Sequence, residues 1–184
     1  MINIVLDIFN YILVAILIGV SATWIVLIKS MLRTFNESPF LDKFEKKECS
    51  KPKVSIILPA RNEEKFIEKC LNSLLNQDYD NYEIIAINDS SKDSTGNIIK
   101  EYSKKFPKVI SVDAKPKPDG WIGKNWACIE GYKKASGDLL LFTDADTTHT
   151  GSVISLAVSH LLSLELDALT VIPRMLCLDK ITKI

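Results

Sequence analysis

The chain has 184 residues, with 23 basic side chains against 23 acidic ones and an apolar share of 47%. That length holds about one ordinary domain. The cancelled charge gives no electrostatic basis for a nucleic-acid partner, and none is expected.

In chain order, the first element is the run IFNYILVAILIGVSATWIVLI at 8–28, which carries no charge. It matches the ~20 residues that a helix needs to cross a bilayer core, so residues 1–28 are read as a transmembrane helix. A cleaved signal peptide fits less well: the apolar run is too long, no basic residues precede it, and no small-residue cleavage site follows. Residues 29–52 form a charged juxtamembrane connector holding Ser38-Pro39 and Lys51-Pro52. Across 29–53, seven positive residues (Lys29, Arg33, Lys43, Lys46, Lys47, Lys51, Lys53) stand against four acids (Glu37, Asp42, Glu45, Glu48). By the positive-inside rule this flank and everything after it is expected in the cytoplasm, on a single-pass protein of the cell membrane.

Residues 53–184 read as the globular domain. A strand starts at Val54-Ser55-Ile56-Ile57-Leu58, and further strands are expected at 83–88, 109–112, 138–143 and 168–172. Helices are expected at 63–77, 94–106, 124–136 and 151–164, the first carrying Phe66, Ile67, Cys70, Leu71, Leu74 and Leu75 on one face. Strands alternating with helices predict an α/β fold with a doubly wound, mainly parallel sheet. The apolar stretch 153–178 is not read as a second span, because His160, Glu165, Asp167, Pro173 and Arg174 interrupt it. Cys49, Cys70, Cys128 and Cys177 lack the close pairings of zinc or redox sites and are read as packing residues. His149 and His160 are too far apart to suggest a histidine metal site.

In such sheets ligands bind beyond the carboxyl ends of the strands. Three polar clusters fall there: Pro59-Ala60-Arg61-Asn62-Glu63, Asp89-Ser90-Ser91 and Asp144-Ala145-Asp146. If the fourth strand runs on, its two acids point to one side and can meet one divalent cation; a solvated turn is the other reading. Asp93 and Ser94 are expected to cap a helix. Lys124, following Gly123 at a helix start, either holds phosphate with the free N–H groups or is an ordinary first-turn lysine. Arg61 either reaches a diphosphate, touches a base edge or is solvated. For His149 the options are a third ligand, a sugar contact or a polar position before a helix. Trp126 is expected in the core.

Taken together, VSIILPARNEE, YEIIAINDSSKDST, GWIGKNWA and GDLLLFTDADTTH resemble, in that order, the family-2 glycosyltransferases with the GT-A nucleotide-sugar-binding fold, over about residues 52–175. The GWIGKNWA block, with an N-terminal membrane helix, looks closest to bacterial and archaeal members that glycosylate lipids or carotenoid- and hopanoid-type products. The resemblance implies a nucleotide-sugar donor, UDP-linked, held by Pro59, Ala60, Arg61, Glu63, Asp89, Lys124 and Asp144. Asp89 matches the acid that accepts the uracil imide N–H. Asp146, with Asp144, matches the metal site, for which hard oxygen ligands imply Mg2+ or Mn2+. The acceptor is expected to be a lipid-like or membrane-embedded hydroxyl, attacked with inversion at the sugar carbon.

In this family the acceptor half, with its general base, follows the metal-binding acids. Here Glu165, Asp167 and Asp179 carry no matching motif, and no catalytic base is assigned. The chain is expected to be the incomplete, donor-binding half of such an enzyme, whether a fragment, a shortened gene product or one part of a split enzyme. The alternative is a non-catalytic nucleotide-sugar-binding subunit that needs a partner chain with the acceptor half. Nucleotidyltransferases and Rossmann dehydrogenases fit less well, since residues 54–63 contain no glycine.

Overall fold

A computed structural model describes residues 2–37, 41–46 and 50–173. Ser38, Pro39, Lys47, Glu48, Cys49, Arg174, Cys177 and Asp179 lie outside the described residues. The chain divides into two units, Met1–Lys43 and Phe44–Ile184.

The first unit is helix α1 (Ile2–Glu37), followed by a short 3-10 turn at Leu41–Lys43. Within α1, Leu6–Thr34 has a mean hydropathy of 2.6 and none of its most apolar stretch is buried, so by length and composition it can cross a membrane. A signal sequence meets the same description. The helix runs on through 29–37, the first part of the expected connector, where no proline or glycine stops it.

The second unit alternates β1 (Val54–Ala60), α2 (Ile67–Leu75), β2 (Tyr82–Asn88), α3 (Thr95–Lys105), β3 (Val109–Asp113), α4 (Gly123–Tyr132), β4 (Leu139–Phe142) and α5 (Val153–Ser163). The strands form one parallel sheet in the order β3-β2-β1-β4. The chain steps outward from β1 to β3 and then returns to the other side of β1. That reversal splays the connections on either side of β1 and β4 and opens a crevice at their carboxyl ends.

Parallel strands covered on both faces read as near-continuous apolar runs, as Ile56–Leu58 of β1 and Ile84–Ile87 of β2 do. Val54, Ile56, Leu58, Ile84 and Ala86 pack toward Ile67, Cys70, Leu71 and Leu74 of α2, Ile99 of α3, and Ile154 and Val158 of α5. Ile57, Ile85 and Ile87 face the other way, against Ala127 of α4. Gly131 lets α4 lie close: a Cβ there would stand 2.6 Å from Ile87 Cδ1 and 3.0 Å from Ile57 Cγ2.

At the opposite end of the sheet, buried Glu83 accepts hydrogen bonds from Ser55 Oγ at 2.6 Å and from Ser136 N at 2.8 Å, and pairs with Lys53 Nζ at 2.8 Å. Burial raises its pKa, but the Lys53 ammonium and the donors on Ser55 and Ser136 outweigh this and bring it down to about 2. This carboxylate joins β1, β2 and the turn before β4.

Several elements depart from the sequence reading. β1 includes Pro59 and Ala60, which were expected in a loop. Ile57 O accepts from Thr143 N, and Ala60 O accepts from Asp89 N, so odd-numbered β1 residues direct their backbone toward β4. Pro59 therefore turns its donorless nitrogen to a side that β4 has already left, and no ladder bond is lost. Phe66 precedes α2 and is 48% exposed, outside the buried face. No strand forms at 168–172, where Ile172 is 88% exposed. A β-branched run becomes a strand only when a sheet edge takes it up. Among the described residues β4 pairs with β1 alone, and its outward Leu140 and Phe142 are exposed.

Candidate functional site

Three loops leave the sheet side by side, after β1, β2 and β4. The first two are laced together. Asn62 N donates to Ser91 Oγ at 3.1 Å, and Lys92 N returns a bond to Asn62 Oδ1 at 2.8 Å. Glu63 N donates to Thr95 Oγ1 at 2.8 Å, and Glu64 N to Asp93 Oδ2 at 3.2 Å. Asn62 (φ 56°) and Ser90 (φ 54°) take left-handed conformations, which cost a side-chain-bearing residue energy and persist where neighbours enforce them. Asp93 also accepts the N–H and hydroxyl of Thr95 at 3.0 and 2.6 Å, so it caps α3 as expected. Ser94, although at the N-cap position, makes no side-chain cap bond.

Within this frame Asp89 sits directly after β2 with its side chain only 14% exposed, and Arg61 Nη1 lies 3.7 Å from its Oδ2. The start of α4 closes over the pair. A Cβ on Gly123 would stand 3.3 Å from Asp89 Oδ2 and 3.8 Å from Arg61 Nη1, so the helix N-terminus abuts a carboxylate that its dipole favours. One residue on, Lys124 Nζ reaches Asp144 Oδ1 at 2.6 Å. Both side chains are more than half exposed, which makes this a weak, exchangeable pair. Of the expected nucleotide-site residues, Arg61, Asp89, Lys124 and Asp144 thus meet around the first turn of α4. Ala60 differs: its side chain belongs to the core, and only its carbonyl serves the site, holding Asp89 N at 2.9 Å. Pro59 stays half-buried at the end of β1.

The two acids do not share a strand face, because β4 ends at Phe142. Asp144 lies beyond it and Asp146 in a turn. Between them Ala145 is buried at 4% in the core cluster, while both flanking residues are exposed. Both act on Glu63, whose pKa is raised by burial and then by Asp146, Asp93 and Asp144. Both also add to the burial that pushes the Cys70 thiol up to about 12. Asp144, Asp146 and Glu63 therefore crowd negative charge opposite one ammonium, that of Lys124, whose own pKa is raised by its bond to Asp144.

Among the described residues no group of three or more His, Cys, Asp or Glu side chains is placed to hold a metal. The donors suit a cation shared with a ligand. Mg2+-type sites commonly use one or two carboxylates and complete their shell with phosphate oxygens and water. Asp144 already holds a cationic group at 2.6 Å. The acid pair fits a hard divalent ion on these grounds.

His149 lies just before α5, the polar position before a helix that was one of its expected roles, and is not grouped with the two acids as a third ligand. Its ring turns into the protein, with Nε2 at 2.9 Å from Thr143 Oγ1 and 3.1 Å from Thr147 Oγ1, and burial lowers its pKa. Trp126, expected in the core, is half-buried. Its Nε1 donates to Lys115 O at 2.9 Å, its ring meets that of Trp121 edge-on at 5.5 Å, and the pair pins the loop before α4. Sequence reasoning missed the steric role of Gly123 and the Ser73–His149–threonine web. The Thr-Thr-His run after the acids was the available signal.

The family model described as Glycosyl transferase family 2 matches residues 55–175. "Probable glycosyltransferase YdaM" of Bacillus subtilis is 34% identical over 71% of this chain and 33% of its own length. The 4,4'-diaponeurosporenoate glycosyltransferase of Staphylococcus haemolyticus is 41% identical over 50% of this chain and 24% of its own. Among solved structures, the mannosyltransferase PcManGT of Pyrobaculum calidifontis, in complex with GDP-Man and Mn2+, superposes with a TM-score of 0.57 at 22% identity. It covers 74% of this chain and 39% of its own, and at that identity the likeness speaks for the fold alone. S. aureus TarS in complex with UDP has a TM-score of 0.50 at 29% identity, over 60% of this chain and 32% of that one. The chain spans a third or less of the curated relatives named here. The parallel α/β sheet is the GT-A arrangement, and the chain belongs to glycosyl transferase family 2.

Proposed function

We propose that the chain is the donor-binding half of a metal-dependent glycosyltransferase, taking a UDP-linked sugar on Asp89, Arg61, Lys124, Asp144 and Asp146. The observation that carries this reading is the meeting of a largely covered carboxylate, a helix N-terminus and a pair of exposed acids at the strand-order reversal. TarS has been solved with UDP, and PcManGT with GDP-Man and Mn2+.

Asp89 accepts the ring N–H of uracil, while the Arg61 guanidinium beside it donates to the neighbouring carbonyl. The missing side chain of Gly123 leaves the room for this edge. Lys124 exchanges its weak contact with Asp144 for the diphosphate, helped by the N–H groups at the start of α4. Asp144, thus released, and Asp146 hold the divalent ion, Mg2+ or Mn2+. When bound, that ion neutralises charge on the departing diphosphate. Glu63 is held beside both acids and shapes the negative end of the crevice.

The acceptor in this reading is a lipid-like or membrane-embedded hydroxyl, reached by a single-pass protein with its globular part in the cytoplasm. Support comes from the apolar stretch Leu6–Thr34 and from a relative whose name gives 4,4'-diaponeurosporenoate as the compound glycosylated. In a second reading, the chain is a binding subunit whose partner brings the acceptor half. The exposed Leu140 and Phe142 on β4 favour it, since a sheet edge with an apolar face invites further chain.

The test is calorimetry of uridine and UDP in chelator, with Asp89→Ala. Loss of one charge-assisted hydrogen bond of ~1.5–3 kcal/mol weakens binding roughly tenfold or more. Unaltered uridine affinity removes Asp89 from the site. Transfer of labelled sugar into lipid extract by the chain alone supports the enzyme over the subunit.

A further inference from the structure

We propose that His149 is a positioning residue: its ring locks the turn carrying Asp144 and Asp146 so that both carboxylates stay on the open side of the crevice. This rests on the assignment of those two acids to a metal-bound diphosphate.

Around the turn the hydrogen bonds form a directed chain. Thr147 Oγ1 donates to Asp144 O at 2.7 Å, which commits its only proton. Thr143 Oγ1 lies 3.0 Å from Thr147 Oγ1, and His149 Nε2 lies 2.9 Å from Thr143 Oγ1. With the proton on Nε2 all four contacts are served by three protons: Nε2–H shared between Thr143 and, at 3.1 Å, Thr147, Thr143 O–H to Thr147, and Thr147 O–H to the Asp144 carbonyl. With Nε2 bare, Thr143 gives its proton to the ring and the contacts of Thr147 with Thr143 and His149 hold none. The chain of bonds therefore selects the Nε2–H tautomer.

The other end of His149 is fixed to the scaffold. Its backbone N–H donates to Ser73 Oγ at 3.1 Å, and Ser73 Oγ donates to Cys70 O at 2.7 Å on buried α2. Cys70 Sγ in turn points at Asp144 O at 3.6 Å. The acid-bearing turn is thus tied to α2 at its carbonyl and through His149, with Ala145 plugged into the core between the acids. The ring sits on the protein side of the turn, so it touches neither ligand nor cation. Burial favours its neutral form, and the donor chain then selects between the two neutral tautomers.

The experiment measures UDP affinity of the full chain in Mn2+ and in chelator for wild type, His149→Ala and His149→Gln. Glutamine places an amide N–H near the reach of Nε2. Groups that orient metal ligands typically govern affinity by ~10–100-fold, so His149→Ala is expected to lose at least about tenfold in Mn2+ while its affinity in chelator stays within about twofold. His149→Gln is expected to recover most of that loss, and nitrogen NMR of the wild-type ring to show the Nε2–H tautomer. Equal losses with and without Mn2+, no loss at all, or no recovery with glutamine overturns the proposal. If wild type binds UDP equally in Mn2+ and chelator, the metal assignment itself fails and takes this inference with it. Mn2+ dependence retained in His149→Ala overturns the inference alone.

Discussion

Acid should unlock the sheet at Glu83. A carboxyl held at about 2 in the folded chain against an ordinary 4.5 corresponds to about 3 kcal/mol of stability near neutral pH, at 1.36 kcal/mol per unit. The direction follows from proton counts. Between the two values the unfolded chain binds the extra proton, so stability rises with pH; the contribution is complete above 4.5 and is lost as pH falls toward 2. By pH 3 roughly 2 of those 3 kcal/mol have gone. Glu83→Gln keeps the shape, but it removes the charge that faces Lys53 Nζ at 2.8 Å and turns an amide donor toward Lys53 or Ser136. Because other acids titrate alike in both proteins, the informative quantity is the difference between wild type and Glu83→Gln in urea unfolding, followed by near-ultraviolet circular dichroism from pH 7 to 3. That gap is expected to shrink by roughly 2 kcal/mol. A gap that stays constant across the range refutes the account of this carboxylate.

Two further outcomes test the packing at the two ends of the sheet. Gly137→Ala places a Cβ 2.7 Å from Lys53 O and from Ser55 N, both backbone atoms that cannot move aside; overpacking of ~1–3 kcal/mol should lower the unfolding midpoint without altering UDP affinity of the folded fraction. Cys70, fully buried with its thiol pushed up to about 12, should resist alkylation at pH 8 until denaturant is added, as mapped by mass spectrometry. Labelling of Cys70 as fast as half-buried Cys128 would contradict its place under the acid-bearing turn.

Much of the sheet was legible in the sequence because its central strands are buried on both faces. Ile56–Leu58 and Ile84–Ile87 read as uninterrupted apolar runs, and burial on two sides gives that pattern. The positions of Asp89 and the acid pair beyond β2 and β4 were legible for a related reason, since polar residues ending such runs fall past the carboxyl ends of the strands. The failures trace to interactions between distant residues. The run at 168–172 has strand composition but no edge that takes it up. Asp144 and Asp146 stand exposed on either side of Ala145, which is held in the core, where strand alternation had been expected to place them. Glu83 looked like an ordinary strand residue, because Lys53, Ser55 and Ser136 approach it from other parts of the chain. His149 was ambiguous for the same reason, its backbone N–H being held by Ser73 on α2 and its ring by Thr143 and Thr147.

The central claim concerns a cation shared between two aspartates and a diphosphate, and titrating UDP into the full chain with and without Mn2+, beside Asp146→Ala, addresses it most directly. The account predicts that Mn2+ tightens UDP binding to wild type and that Asp146→Ala erases this gain while keeping the metal-free affinity. An Asp146→Ala protein that binds UDP with Mn2+ as tightly as wild type contradicts it.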